Sequence, residues 1–340
     1  QWVGYEVNSC PDIYALCLER SLSLVANSGY FGMIVPHSVS FSSRYVVLRR
    51  HLESHLSEAW VSSYSRIPAG LFSAETRVRN SIVIGRREAD SDGCILHTTR
   101  CRRWNEEYRP HLLALTHYAT PDQVLCERQW PFLGSDSLGA VLAGLVSSRR
   151  VVGERTISSR GLTVPQAGSD DTRAGGPFAL VFRTNGYNWL PVFREPPPAF
   201  DLTGKSIPQS KLRALWFRES AARDAAIAVL SGKWGFAWWV TFGDDFHVTS
   251  GDLESFPVSL DRVATSLDEF LETHLNVLDG RLAENVVFKT NAGKRIGNFD
   301  LRKCRDLTDE FDQVLCDLWG VAAMSELDLL YHQTIRTEGD

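Results

Sequence analysis

The 340-residue chain contains no run approaching the ~18 consecutive apolar residues that a membrane span requires, and no basic segment leading into an apolar one at its start. A soluble, cytoplasmic protein with no membrane partner is therefore expected. Its seven cysteines (Cys10, Cys17, Cys94, Cys101, Cys126, Cys304 and Cys316) form no CxxC pair and lie near no histidine pair at zinc spacing. Reduced, mostly structural thiols are the expectation. "HLESH" places His51 and His55 at i, i+4 but lacks the zincin His-Glu order, so it reads as a solvated helix face and no metal is expected. Lysine is absent from residues 1–160, where 18 arginines face 15 acids, while residues 161–340 hold 18 basic residues against 26 acids. The whole chain carries a net charge of −5, which counts mildly against a nucleic-acid binder, yet its first part is basic.

Arginine is the fork-shaped donor that suits phosphate and guanine. It clusters at Arg100, Arg102 and Arg103, and again at Arg149, Arg150, Arg155 and Arg160, which are candidate phosphate contacts. A GC-rich genome, which replaces lysine by arginine, accounts for the same bias.

With 44% apolar and 23% charged residues the chain is ordinary globular material with room for two domains. From Asp12 to about Ala26, Ile13, Leu16, Cys17, Leu18, Leu22, Leu24 and Val25 recur at helical spacing. "NSG" stops that helix, with Gly29 as the breaker, and "YFGMIVP" follows as a short strand closed by Pro36. "SSRYVVLRRHLESHL" reads as a helix, and "EAWVSSYSRI" and "RVRNSIVIGRRE" as strands, with "GCILHTT" pairing back after the "ADSDG" turn. The pattern loosens after Trp104, and 153–176 reads as a loop or seam. "PFALVFRTNGYNWLPVF" is strand-like on both sides of a turn, "RESAARDAAIAVLSG" is a helix, and "KWGFAWWVTFGDDFHV" reads as an aromatic strand pair or extended segment. Helical periodicity returns over 260–282 and 307–318. The Trp234, Trp238 and Trp239 run reads as a core cluster of the second domain.

The stretch "DIYALCLERSLSLVANSGYFGMIVP" resembles the segment that follows the catalytic tetrapeptide in gamma-class adenine-N6 DNA methyltransferases of restriction-modification type. The likeness continues in order: a helix over 12–19, a strand ending in "GMIVP" over 29–36, a helix carrying Leu48 and Arg49, then a Phe and a hairpin over 70–88. More loosely, "FHVTSGDLESFPV" and "GKRIGNFDLRKCRDLTDEFDQVL" are similar to the segment closing the target-recognition region and to the trailing helical element of related proteins. The chain departs from the pattern at the two places that matter most. It has no early Gly-rich cofactor loop and no Asn-Pro-Pro-Tyr, and "EPPP" at 195–198 lies too far downstream with the wrong residue at each end. The expectation is the C-terminal portion of a longer enzyme, inactive without the part in front.

What the resemblance implies is an α/β fold. A partial Rossmann-like methyltransferase sheet (1–110) would be followed by an α+β target-recognition domain (111–258) and a helical C-terminal region (259–340). It implies S-adenosylmethionine as cofactor and double-stranded DNA as partner, together with the missing N-terminal half or a companion restriction subunit. Methyl transfer to an exocyclic amine needs an extruded base held in line with the cofactor's methyl. Ile13, Cys17 and Pro36 would line the cofactor pocket, and Phe72 would stack on the target adenine, an interaction worth about 1–3 kcal/mol. As an isolated helix Ile13 and Cys17 read equally well as core, and a lone loop Phe as a core anchor. Pro36 and His37 close a strand of parallel type, where open α/β sheets place their sites. Arg183, Asn185 and Asn188, in the "RTNGYNW" turn, are candidate base readers. Asp12 and Glu19 mimic a nuclease carboxylate pair, but both lie on one helix, which does not suit a shared magnesium ion. The competing reading is a non-catalytic DNA-recognition (specificity) module that docks on a separate methyltransferase chain.

Overall fold

A computed structural model describes residues 4–72, 78–88, 93–127, 129–167 and 176–334. The chain is mixed α/β, about 42% helix and 21% strand, so both layers contribute to its cores. It divides into two compact units, Gln1–Ser147 with Val240–Asp245, and Ser148–Trp239 with Phe246–Asp340. The boundaries expected near 110 and 258 are not boundaries of these units.

Unit 1 is built from α1 (Ile13–Leu24), β1 (Tyr30–Pro36), α2 (Ser38–Phe41), α3 (Val46–Glu53), β2 (Leu56–Tyr64), β3 (Asn80–Arg87), β4 (Ile95–Arg102), α4 (Gln123–Cys126) and α5 (Asp136–Val146). Helix α1 buries Ala15, Leu18, Glu19 and Leu22 along one face, as its spacing predicts. Leu18 and Leu22 pack with Phe31, Val35, Leu48, Leu52, Val61 and Val83 in one core. Each such side chain contributes about 1.5–3 kcal/mol of burial. After α1 the chain turns through Ser28, which adopts φ 63°, so the left-handed step falls one residue before the expected breaker Gly29.

The sheet runs in the order β1-β3-β2-β4. β3 is antiparallel to both β1 and β2, and β2 is parallel to β4, so β1, β2 and β4 point one way and β3 alone is reversed. "GCILHTT" therefore does not pair back on β3 as expected. Its strand β4 lies beside β2, with Glu58 opposite Ile95 and Tyr64 opposite Arg102. The connection that would have made a hairpin includes residues 89–92, outside the described residues. Helix α5, in a stretch that showed no clear periodicity, starts at a Ser135 side chain accepting the Leu138 N–H.

Unit 2 contains β5 (Thr156–Ile157), β6 (Phe178–Arg183), β7 (Val192–Phe193), β8 (Ala199–Phe200), β9 (Leu212–Phe217), α6 (Ser220–Ser231), α7 (Lys233–Phe242), α8 (Ser250–Glu254), α9 (Leu260–Ser266), α10 (Asp268–Glu284), β10 (Val286–Asn291), β11 (Lys294–Phe299), α11 (Arg305–Trp319) and α12 (Met324–Thr334). The last residues of α7 and the turn after it are counted with unit 1. One sheet has the order β5-β9-β6-β7, and a second joins β10-β11-β8.

Two expectations are corrected here. "KWGFAWWVTF" is helix α7, not strand, and residues 233–241 are all buried. A fully buried helix shows no amphipathic period, and its aromatic content mimics a strand. The C-terminal region is not all helical either, because the β10–β11 hairpin interrupts it. Trp234, Trp238 and Trp239 are core residues as expected, at 0%, 8% and 1% exposure. Thr249 and Asp252 form a reciprocal capping box at the start of α8. Among the described residues, no helix is long and apolar enough to cross a membrane.

Candidate functional site

The carboxyl ends of the three co-directional strands of unit 1 fall in one row. Pro36 pairs with Asn80, Asn80 with Tyr64, and Tyr64 with Arg102. Such an edge is where open α/β sheets hold ligands. Three segments meet it. The first is the turn after β1, where the His37 N–H donates to the Arg79 carbonyl at 3.0 Å. The second is the first turn of α1, where the Tyr14 and Ser38 hydroxyls lie 3.3 Å apart and the Tyr45 hydroxyl donates to the Asp12 carboxylate. The third is the connection from β2 to β3, which carries Phe72.

Two of these segments are each fixed by an arginine. Arg49, 3% exposed on α3, donates to the carbonyls of Val39 at 2.8 Å and Ser42 at 3.0 Å, which holds the turn beyond Pro36. This gives the Leu48–Arg49 pair a physical role, Leu48 in the core and Arg49 clamping the loop. Arg109 donates to the carbonyls of Gly70 and Leu71, both at 2.9 Å, while its guanidinium lies 4.9 Å from the centre of the Trp104 ring. Leu71 packs on the Tyr64, Ala69, Trp104 and Leu112 cluster, whereas Phe72 is 45% exposed. Phe72 is thus an outward-facing ring on an anchored loop, not a core anchor. Residues 73–77, part of the expected 70–88 motif, lie outside the described residues.

Ile13 and Cys17 are both exposed, Ile13 at 67%, on the face of α1 opposite Ala15, Leu18 and Leu22. They are not core residues. Pro36 is half-buried at the end of β1. His37 is buried between Phe41 and Phe132, with ring centres 5.1 and 5.6 Å away, and its Nδ1 has no hydrogen-bond partner. Burial, reinforced by the positive charge of Arg79, pulls its pKa down to about 3, so it is a neutral imidazole at physiological pH.

Of the arginines expected to meet phosphate, Arg102, Arg103, Arg150 and Arg155 have protein partners, the last two in Glu154 and Asp261. Arg102 donates to the carbonyls of Leu112 and Leu115 at 3.1 and 2.8 Å. Arg103 pairs with Asp245, which also faces Arg79 with Nε and Oδ2 3.6 Å apart. All three side chains are nearly inaccessible, at 7%, 2% and 9% exposure. Arg100 is half-buried, and burial lowers its pKa. The Asp245 pairing had no local signal, since 142 residues separate it from Arg103.

The remaining candidates lie in unit 2. Asn185 bridges His247 through the backbone, Gly186 donates to the Phe246 carbonyl at 2.9 Å, and Gly186 packs on the Trp239 ring so closely that no side chain fits there. The turn is held by these backbone contacts. Arg183 and Asn188 are half-buried, and burial lowers the Arg183 pKa. Asp12 and Glu19 do not form a shared carboxylate site. Glu19 accepts the N–H groups of Glu6 and Val7 at 3.0 and 3.1 Å, while Asp12 faces Tyr45. His51 meets Glu6 at 2.9 Å, and among the described residues no group of three or more metal-ligating side chains occurs.

A cavity of about 590 Å3 lies at the other end of β4, lined by Arg49, Arg50, Glu53, Cys94, Cys126 and Glu127 among others. Burial pushes the thiols of Cys94 and Cys126 up to about 12, so neither is a reactive thiolate at neutral pH. The chemistry-bearing convergence is at the carboxyl end of the sheet, not in this cavity. Compared with known proteins, the chain matches no protein-family model and no curated protein sequence.

Proposed function

We propose that the chain is the C-terminal portion of an S-adenosylmethionine-dependent, site-specific DNA adenine-N6 methyltransferase of restriction-modification type. One observation carries the reading. The first turn of α1, the end of β1 and the Phe72 loop, which the resemblance requires to share one site, meet the same edge of a sheet, with Arg49 bracing the turn after β1, Arg109 bracing the Phe72 loop, and the Tyr14–Ser38 and Tyr45–Asp12 contacts tying α1 to that turn. The partial Rossmann-like sheet belongs to this proposal. In it β1, β2 and β4 supply the co-directional strands, and β1 lies at the sheet edge with Tyr30 and Ile34 exposed.

When bound, S-adenosylmethionine supplies the electrophilic methyl group. Ile13 and Cys17, one helical turn apart and exposed, suit the flat apolar face of its adenine, and Pro36 presents no N–H there. Phe72 offers a ring for an extruded base, and its anchored loop limits the entropy lost on stacking. Buried, neutral His37 adds no charge to the turn beyond Pro36. The chain contains no Asn-Pro-Pro-Tyr, the motif that in this family accepts the adenine amine's hydrogen bonds, so it is inactive alone.

Methyl transfer from labelled cofactor to duplex DNA tests this. The chain alone is expected to give no transfer. Co-expressed with a polypeptide carrying the Gly-rich loop and the tetrapeptide, it is expected to methylate adenine N6, with loss of activity in Phe72→Ala and in Ile13→Asp. A pair that neither binds cofactor nor transfers methyl overturns the reading. DNA binding without cofactor binding would favour the recognition-module alternative.

A further inference from the structure

Lysine is scarce in this chain, six residues against thirty arginines. Two of the six, Lys289 and Lys294, lie with Arg295 on the β10–β11 hairpin, and no acidic residue occurs between Val286 and Phe299. Those 14 residues carry +3 in a chain of net −5. All of β10 beyond Val286 is exposed, as are Lys294 and Arg295.

The register sorts the hairpin into two faces. Val287 lies opposite Asn298, Lys289 opposite Ile296 and Asn291 opposite Lys294, so two lysines and two asparagines share one face. On the other, the Arg295 guanidinium lies 4.6 Å from the centre of the Phe288 ring, and the Phe200 ring is 6.0 Å from Phe288. Arg295 is therefore oriented by an aromatic surface, which leaves its charge unneutralised. Among the described residues, Lys289, Lys294 and Arg295 have no carboxylate partner.

The hairpin is also braced. β8 pairs along β11 through Ala199 and Phe200, and the Gly297 N–H donates to the Pro198 carbonyl at 2.8 Å. β10 is left as the open strand of the ribbon.

We propose that the β10–β11 ribbon enters the major groove of duplex DNA. Lys289, Lys294 and Arg295 contact phosphates, and Asn291 at the tip faces base edges. A two-stranded ribbon fits the ~12 Å major groove of B-form DNA, whereas the deep, narrow major groove of A-form RNA excludes it. Positive charge with no internal counter-ion is what phosphate binding by counterion release requires. The inference rests only on the DNA-partner part of the proposed function and does not involve the cofactor.

The test is fluorescence anisotropy of the full chain with a labelled duplex of about two helical turns across a salt series. The triple variant Lys289→Ala, Lys294→Ala, Arg295→Ala is expected to lose more than tenfold in affinity, with the log–log salt slope reduced by about 2–3. A control with Lys211→Ala, Arg213→Ala and Arg218→Ala removes the same charge from exposed positions elsewhere in unit 2 and is expected to bind as the parent does. The proposal is overturned if the ribbon variant matches the parent, if the control loses as much, if duplex RNA binds more tightly than DNA, or if the parent does not bind duplex DNA. Ribbon-dependent DNA binding by a chain that fails the cofactor tests would leave this inference standing and remove the methyltransferase reading.

Discussion

Two basic clusters of this chain behave in opposite ways. Arg102 and Arg103 in unit 1 donate to carbonyls and to the Asp245 carboxylate, with Arg103 only 7% exposed, whereas Lys289, Lys294 and Arg295 in unit 2 stand exposed with no counter-charge among the described residues. Guanidinium has five donors in a fixed fork, which lets it knit several loop carbonyls or a buried carboxylate, while lysine's ammonium is a compact, strongly hydrated point charge. A basic cluster in a sequence therefore does not by itself indicate a phosphate contact. What decides is whether the fold supplies acceptors, and among the described residues no carboxylate meets the three charges of the ribbon.

The sharpest test of that contrast is stability. Asp245→Asn, which keeps a side chain tolerant of the φ of 64° found there, leaves Arg79 and Arg103 buried without their shared carboxylate. A loss of about 3–5 kcal/mol is expected in urea unfolding. The ribbon triple variant is expected to stay within about 0.5 kcal/mol of the parent, as exposed substitutions do. Equal effects in the two variants would break the comparison.

A second buried charge, in unit 2, separates burial from pairing. Asp312 is fully buried on α11 and accepts the N–H groups of Lys233 at 2.8 Å and Trp234 at 3.3 Å, capping α7 from outside the helix. Burial pushes its pKa up to about 7, outweighing those two bonds and the charge of Lys233. The unfolded chain ionises this carboxyl from about pH 4, whereas the folded chain resists until about pH 7. Its contribution is therefore most favourable below about pH 4 and falls as pH rises toward 7, by up to about 4 kcal/mol. Asp312→Asn should flatten that part of the stability–pH profile. A profile unchanged by the substitution would show that the carboxyl is ionised in the fold throughout. Gly232→Ala, whose new methyl would meet the Asp312 carboxylate, should cost about 1–3 kcal/mol through overpacking.

How much of this was legible in the sequence follows from which interactions are local. Helix α1, strand β1 and the tryptophan core announce themselves through spacing and composition. The reversal of β3 between β1 and β2, and the pairing of β4 with β2, depend on register partners far apart in the chain. Helix α7 read as strand because its cap, Asp312, lies 78 residues beyond Trp234 and its burial erases any period. The ribbon was invisible for the converse reason, since β10, exposed on both faces beyond Val286, lacks alternation. At the candidate site the order of elements was readable. The roles of Arg49 and Arg109, which hold its loops by donating to backbone carbonyls, were not, because carbonyls carry no sequence signature.

The smallest expected effect is the most discriminating for the site. Leu71 and Phe72 are neighbours on one anchored loop, yet Leu71 packs on Tyr64 and Trp104 while Phe72 is 45% exposed. Leu71→Ala should lower stability by about 1–2 kcal/mol, less than the full range for a completely buried leucine because the site is only partly enclosed. Phe72→Ala should change it by no more than about 0.5 kcal/mol. Equilibrium unfolding of the two variants measures both. If Phe72→Ala costs as much as Leu71→Ala, the ring is a packing element and its place in base stacking loses its physical basis. If stability is unchanged while methyl transfer by the reconstituted pair is lost, the exposed ring acts on the substrate, because a side chain that contributes nothing to folding cannot abolish activity through the fold.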